Sequence, residues 1–483
     1  MSDEVPEGWA TAGVADVIND IQAGFASGKK DLEGGLAHLR MNNIGRDGEL
    51  VLDLVRTVPE RLARPHHDLR RGDVLVCTTN SATLVGKPAY FDLPGRFAFS
   101  NHLTRLRPDP DLVDGRFLRW NLWLHWKSGL FNDCCKHWVN QSAIPKEALL
   151  RTEVVLPPLP EQRRIIAKLE ELLAKADACQ KRLAKVPVLL KRFRQAVLAA
   201  ACSGRLTADW RQAQTDVEPA TALLEGDQAG QGEDEQADFD GPTGWARVRF
   251  GALVGAIRGG STVPPAIEAT DFPILRSSSV RPGAIDLNDV RFVRAKDSQC
   301  EENFLRDGDL LFTRLSGSLE YLANCAVVRG LGSRRIQYPD RIFCARLKVR
   351  EMASYVELCF GSPAVRAELT EGAKSSAGHQ RVSIADIANQ RIPLAPLAEQ
   401  LEIVRRVGAA FALAAEIEAR FVVGQGHVAR LTPTLLAKAF AGELVPTEAE
   451  LARREGRSFE PASVLLLGGH PKPAIDVHLK TGH

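Results

Sequence analysis

The chain has 483 residues, 45% of them apolar and 25% charged, with a formal charge of +2. That length admits two or more domains with cores of their own, and that composition excludes the disordered, collagenous and disulfide-scaffold classes. A charge so close to balance does not by itself announce a nucleic-acid binder, although residues 225–240 hold seven acidic and no basic side chains and so conceal a basic surplus on the rest.

Nine cysteines are scattered without a CxxC pair, and Cys134 adjoins Cys135, which argues against a zinc ribbon and for a reducing, cytoplasmic setting. Asp3 and Glu4 precede no apolar stretch, so no signal peptide is expected there. No apolar run approaches the roughly 20 residues that span a bilayer, so no membrane partner is expected.

Taken in chain order, the first 155 residues show a mixed pattern with many turn signals. Asn42 to Gly48 reads as a loop, and Arg70-Arg71-Gly72-Asp73 as a turn leading into Val74-Leu75-Val76, a short apolar run expected to be a buried strand. Residues 156–210 change to a helical period. Pro160 suits a first helical position and Glu161 the first turn. Ile165, Ile166, Leu169, Leu172, Leu173 and Ala176 then form one apolar stripe. Pro187 breaks the helix; a second piece runs through Leu189, Leu190, Phe193 and Val197 to a stop at Gly204. Residues 211–240, rich in Gln, Asp, Glu, Gly and Ala, read as a solvated linker.

The same order then repeats. Pro6, Gly8, Trp9 and Ala10 return as Pro242, Gly244, Trp245 and Ala246; Leu39-Arg40 as Leu275-Arg276; Gly72-Asp73 as Gly308-Asp309 before Leu310-Leu311-Phe312. Leu-Pro-Pro-Leu-Pro-Glu-Gln at 156–162 returns as Leu-Ala-Pro-Leu-Ala-Glu-Gln at 394–400, and Gly204-Arg205-Leu206 as Gly442-Glu443-Leu444. The offset stays near half the chain, which marks a duplicated pair of domains and not a solenoid of short units. The second copy occupies 241–392, with a helical spacer at 393–445 whose stripe is Ile403, Val407, Phe411, Ala414, Ile417 and Phe421; Gly424 and Gly426 are expected to interrupt it where Pro187 interrupts the first. Residues 446–483 read as a loosely ordered tail with one short helix.

No catalytic constellation emerges. Gly86-Lys87 is followed by Pro88, which spoils a phosphate loop; there is no HExxH, no Asn/Asp-Pro-Pro-aromatic segment and no GxGxxG opening a helix. His66-His67-Asp68 does not make a metal site, since sequence neighbours rarely share an ion. Base readout requires forked or paired donors on turns, and the candidates are Arg40, Asn42, Asn43, Asn80, Lys87, Asn140 and Gln141 in the first copy and Arg276, Arg314, Lys374, His379, Gln380 and Arg381 in the second. Arg40 and Arg276 repeat, which favours a structural or phosphate role for both, because two half-sites should differ in their bases.

A variable domain followed by a long helix, both present twice and joined through the Pro-Glu-Gln or Ala-Glu-Gln motif at 160–162 and 398–400, resembles the specificity subunits of type I restriction–modification systems. The resemblance implies an α+β protein. Two similar target-recognition domains, 1–155 and 241–392, would be joined by two long antiparallel helices with pseudo-twofold symmetry. It implies a non-catalytic subunit that reads a bipartite, asymmetric site on double-stranded DNA. Partners would be methyltransferase subunits, two in number, and restriction/translocase subunits; S-adenosylmethionine, ATP and magnesium would sit on those partners. Alternatives left open are the specificity subunit of an orphan methyltransferase without a nuclease, and a self-contained DNA-modifying enzyme. Glu161 to Lys185 as an unbroken helix would run roughly 37 Å, near one turn of B-DNA, so helices of this length could fix an unread gap between half-sites.

Overall fold

The computed structural model describes all residues except 1–4, 29–34, 138–140, 225–239, 267–271, 295–300, 317–320, 372–373, 377–378 and 469–483. It divides into two compact units, residues 1–182 with 424–483, and residues 183–423. Each unit therefore contains one mixed domain, the helix that leaves it, and the far end of the other helix.

Both units are built on the same antiparallel four-stranded sheet. In the first the order is Ile18–Ala23, Leu103–Pro108, Val74–Cys77, Pro88–Tyr90; in the second it is Val254–Gly259, Ile342–Leu347, Leu310–Thr313, Cys325–Val327. Even an irregularity is duplicated, with register shifts at Ile18/Asp20 and at Val254/Ala256. The runs expected to be buried strands are buried on both faces. Val74 and Val76 point into a core shared with Phe117, Ile166 and Leu169, whereas Leu75 and Cys77 join Leu39, Phe91 and Phe99 on the other side. Leu310 and Phe312 against Leu311 repeat the division in the second unit. The period of two along a strand explains why an unbroken apolar run fits only a sheet covered on both sides.

The turn before each central strand is set by charge as well as by glycine. Gly72 and Gly308 take φ of 102° and 92°, which a side chain would strain. Asp73 and Asp309 then accept the N–H of Arg70 and Arg306 at 2.7 and 2.9 Å and pair with Arg107 and Arg346 at 2.8 and 3.0 Å.

A two-stranded ribbon, Ala10–Gly13 with Glu153–Leu156, brings the start of the first domain beside its exit; Ala246–Arg249 with Arg391–Leu394 does so in the second. There the repeated Glu-Gln pair acts as a buried latch. The Trp9 indole N–H donates to Glu161 at 2.9 Å and that of Trp245 to Glu399 at 2.8 Å. Gln162 donates to the carbonyls of Leu112 and Pro157, and Gln400 to that of Ala395. The helices that follow span Leu159–Leu183, Val186–Cys202 and Leu397–Phe440. Ile165 and Leu169 pack with Leu436 and Ala439 in the first unit, and Ile403 and Val407 pack with Ala201 in the second.

Three expectations need correction. The second helix is not broken at Gly424 and Gly426: all 44 residues, including Pro433, are helical. A Cβ at either glycine would meet nothing within 4 Å, and flanking helix on both sides outweighs a cost of about 1 kcal/mol per glycine. The linker is packed in its first part, since Ala208–Ala213 is helical and Ala220 is fully buried, its N–H donating to the Gly244 carbonyl at 2.8 Å. The tail is likewise ordered as far as Gly468. Helices Glu448–Glu455 and Ala462–Leu467 dock on the first unit, and Ala462 N–H reaches the Gly8 carbonyl at 2.9 Å.

Candidate nucleic-acid interface

Each central strand continues past the main sheet into a small three-stranded sheet formed with a hairpin. In the first unit the strands are Lys136–His137, Ser142–Ala143 and Thr79–Asn80; in the second they are Lys374–Ser376, His379–Arg381 and Leu315–Ser316. The hairpin is anchored in the same way twice, by Ile144 N–H on the Thr78 carbonyl at 3.0 Å and Val382 N–H on the Arg314 carbonyl at 3.1 Å. Asn80 faces Ser142 in register, and Ser316 faces Gln380. One backbone device therefore displays two different sets of side chains.

Most candidates from sequence converge here. Asn80 and the exposed Gln141 flank the first hairpin sheet; Arg314 enters the second, and Gln380 and exposed Arg381 lie on its middle strand. Lys374 and His379 occupy positions on the two hairpin strands, and Asn140 lies outside the described residues. Arg40 and Arg276 fall elsewhere but at matching places. Each precedes a short 3-10 turn, with its backbone N–H bound by Asn43 Oδ1 at 2.8 Å or Ser279 Oγ at 3.1 Å.

Two candidates turn inward. Asn43 is 2% exposed, and its amide donates to the carbonyls of Val51 and Leu54, so it braces the loop that carries exposed Asn42. Lys87 is 6% exposed, donates to the Ile44 carbonyl, and has its pKa lowered by burial. Both look like ordinary polar loop residues in sequence; only tertiary packing separates them from exposed neighbours.

The structure also adds residues. Lys136 and His137 are exposed on the first hairpin, and His137 Nδ1 lies 2.8 Å from Ser142 Oγ. In the second unit Arg276, Arg291 and Arg341 line a cavity of 360 Å³ with Ser277 and Ser278. Arg341 offers its carbonyl to Arg314 N–H at 2.9 Å, which ties this basic pocket to the hairpin sheet. Arg276 is steadied by Asp289 at 3.3 Å. Arg276 is a candidate from sequence, but Arg291 and Arg341 lie 15 and 65 residues beyond it, so no local motif joins the three. Chemically, guanidinium forks, amides and hydroxyls on such a hairpin can bind base edges, and a cationic pocket with serines can seat a phosphate. No cluster of three metal-ligating side chains occurs among the described residues.

No family model matches the chain. It is 33% identical over 449 residues to the type I restriction enzyme EcoKI specificity subunit of Escherichia coli (strain K12), covering 91% of this chain and 90% of that one. It is 28% identical over 451 residues, at the same coverage, to the StySPI specificity subunit of Salmonella potsdam. The HsdS subunit from Thermoanaerobacter tengcongensis superposes with a TM-score of 0.58 at 17% identity, over 92% of this chain and 99% of that one. A chain from a structure concerned with complex assembly and conformational transition of the type I R-M system gives 0.61 at 18%, over 91% and 99%. At such identities these two likenesses show the fold alone.

Proposed function

We propose, on the premise that this chain belongs to the type I restriction enzyme specificity subunits, that it reads a bipartite, asymmetric DNA site and leaves the chemistry to partner subunits. The observation that carries the reading is the doubled hairpin sheet: the same anchor and register present Asn80, Gln141, Lys136 and His137 in one unit and Arg314, Gln380 and Arg381 in the other. Equal frames with unequal donors suit two half-sites of different sequence.

Recruitment of methyltransferase and restriction/translocase subunits is the second part of the proposal. Helices of the second unit leave Val188, Leu189, Leu413, Val422 and Val423 more than half exposed, an apolar surface that a lone soluble helix rarely keeps. S-adenosylmethionine, ATP and magnesium would then be bound by the partners, in the cytoplasm. No helix among the described residues is long and apolar enough to cross a membrane.

The test is replacement of His379, Gln380 and Arg381 together by Ala, followed by sequencing of methylated adenines in cells carrying the partner subunits. Site-specific modification is expected to be lost. An unchanged methylation pattern overturns the assignment of this hairpin as a reader.

A further inference from the structure

The first unit contains a cavity of 630 Å³ that has no counterpart role in DNA reading as proposed above. That volume lies within the roughly 300–1,000 Å³ of small-molecule sites. At its wall is Arg119, only 7% exposed, its guanidinium stacked 3.6 Å above the Trp120 ring centroid. The opposite side is closed by Gly48, at φ 76°, where a Cβ would lie 2.2 Å from Arg119 Nη2. The fork is thus fixed in place by a ring and a bare backbone. No carboxylate bridges it: Nε has no hydrogen-bond partner, and among the described residues no acid forms an ion pair with Arg119 within 4 Å, the nearby carboxylates acting only at longer range. Burial pulls its pKa down to about 10, in spite of Glu49, Asp47 and Glu170 nearby.

The duplicated copy shows what such a position looks like when it is closed. Arg119 corresponds to Glu357, as shown by the helix residues two places on: Asn121 touches the Val155 backbone, and Cys359 the matching Pro393 carbonyl. Asp92 corresponds to Arg329, two residues beyond the paired Tyr90 and Val327. In the second unit Glu357 and Arg329 form a bridge at 2.5 Å, with Glu357 also accepting Val327 N–H at 2.7 Å. In the first unit the charges are exchanged and unbridged: Arg119 and Asp92 both face the cavity. A buried guanidinium held rigid with no carboxylate bridging it is preorganised to take an anion, because direct contact relieves the cost of its burial.

We propose that this cavity binds a nucleoside monophosphate. Arg119 and exposed Arg71 would take the phosphate, whose three free oxygens match two forks better than a carboxylate does. Tyr90, Leu50 and Leu93 offer apolar wall for a base, and Glu49 and Asp92 offer acceptors for sugar hydroxyls or an exocyclic amine. The same carboxylates disfavour a triphosphate, since three acidic and three arginine side chains line the space.

The experiment is calorimetric titration of the full chain with AMP, GMP, CMP and inorganic phosphate, repeated on Arg119→Met and Arg71→Ala. At least one monophosphate is expected to bind, and each substitution is expected to weaken it roughly tenfold to a hundredfold, the loss of one charged hydrogen-bonding group. Arg71 is exposed, so Arg71→Ala keeps the test valid if Arg119→Met perturbs the fold. The proposal is overturned by no binding at millimolar nucleotide, by inorganic phosphate binding as tightly as any nucleotide, or by both variants binding as tightly as the unsubstituted chain. Displacement of the nucleotide by a short duplex, with duplex affinity also lost in Arg71→Ala, would assign the cavity to DNA and overturn it as well.

Discussion

Set side by side, the two copies keep their joints and change their faces. The sheet order, the Asp-capped turn, the Trp–Glu contact and the hairpin anchor are the same in both. The hairpin side chains differ, and so does the buried charge at Arg119 and Glu357. Duplication thus separates two kinds of constraint within one polypeptide: what holds a helix to its domain tolerates little change, whereas the hairpin faces and one buried charge beside the sheet are free to diverge.

The largest effect should come from the joints. Glu399 is 1% exposed and accepts from Trp245, Thr207 and Arg211, whereas Glu161 accepts, among the described residues, from Trp9 and the Glu448 N–H. Removing a buried acid that holds a cation is expected to cost about 3 kcal/mol or more, so Glu399→Gln should lower stability well beyond Glu161→Gln. Burial raises the pKa of Glu161, so its charge is less favoured than that of an exposed acid, and with no bridging cation to strand, Glu161→Gln should cost less, although one N–H donor loses its acceptor. Urea unfolding with hydrogen exchange read separately at the two ribbons would show it, and equal losses would refute the asymmetry.

Second in size is the core. Phe117→Ala removes a fully buried ring shared between sheet and helix, and should cost about 3–5 kcal/mol, yet its exchange protection loss should stay within the first unit. Next comes the display. Gln380→Ala with Arg381→Ala is expected to relax only one half-site, by about 1–3 kcal/mol per lost bidentate contact; methylation mapping in which both halves change would break the one-copy, one-half correspondence.

The smallest effect is a difference in acid response. His38 is fully buried, and burial, helped by Arg40, lowers its pKa to about 4; its counterpart, one residue before Leu275, is Ile274. The folded state prefers neutral His38, so stability it contributes is present above the unfolded pKa near 6.5 and is lost as pH falls toward 4. The first unit should loosen on acidification before the second, and His38→Leu should flatten that slope in a thermal melt between pH 7 and 5.

The duplicated plan was legible because repeated Pro, Gly, Trp and Glu-Gln residues sit at joints, where geometry admits few alternatives. The sandwiched strands were legible from Val74-Leu75-Val76 and Leu310-Leu311-Phe312, since only burial on both faces suits an unbroken apolar run. The continuous second helix was not, because Gly424, Gly426 and Pro433 vote locally against what 44 residues settle together. Nor could sequence tell Asn42 from Asn43, or show that Arg276, Arg291 and Arg341 share a pocket. Direction of a side chain on a loop and the meeting of distant arginines belong to tertiary structure alone. The exchanged charges at Arg119 and Asp92 needed the alignment of two folded copies to be noticed at all.

The packed segments after each helix carry one more consequence. Ala220 N–H on Gly244 carbonyl and Ala462 N–H on Gly8 carbonyl are the same stitch, one sewn between neighbours in sequence and the other between the first and last parts of the chain. The polypeptide thus has two interchangeable seams, only one of which is covalently bridged. A permuted gene that opens the bridged seam within 225–239 and ties residue 468 to residue 5 should yield the same two units, with start and finish simply relocated.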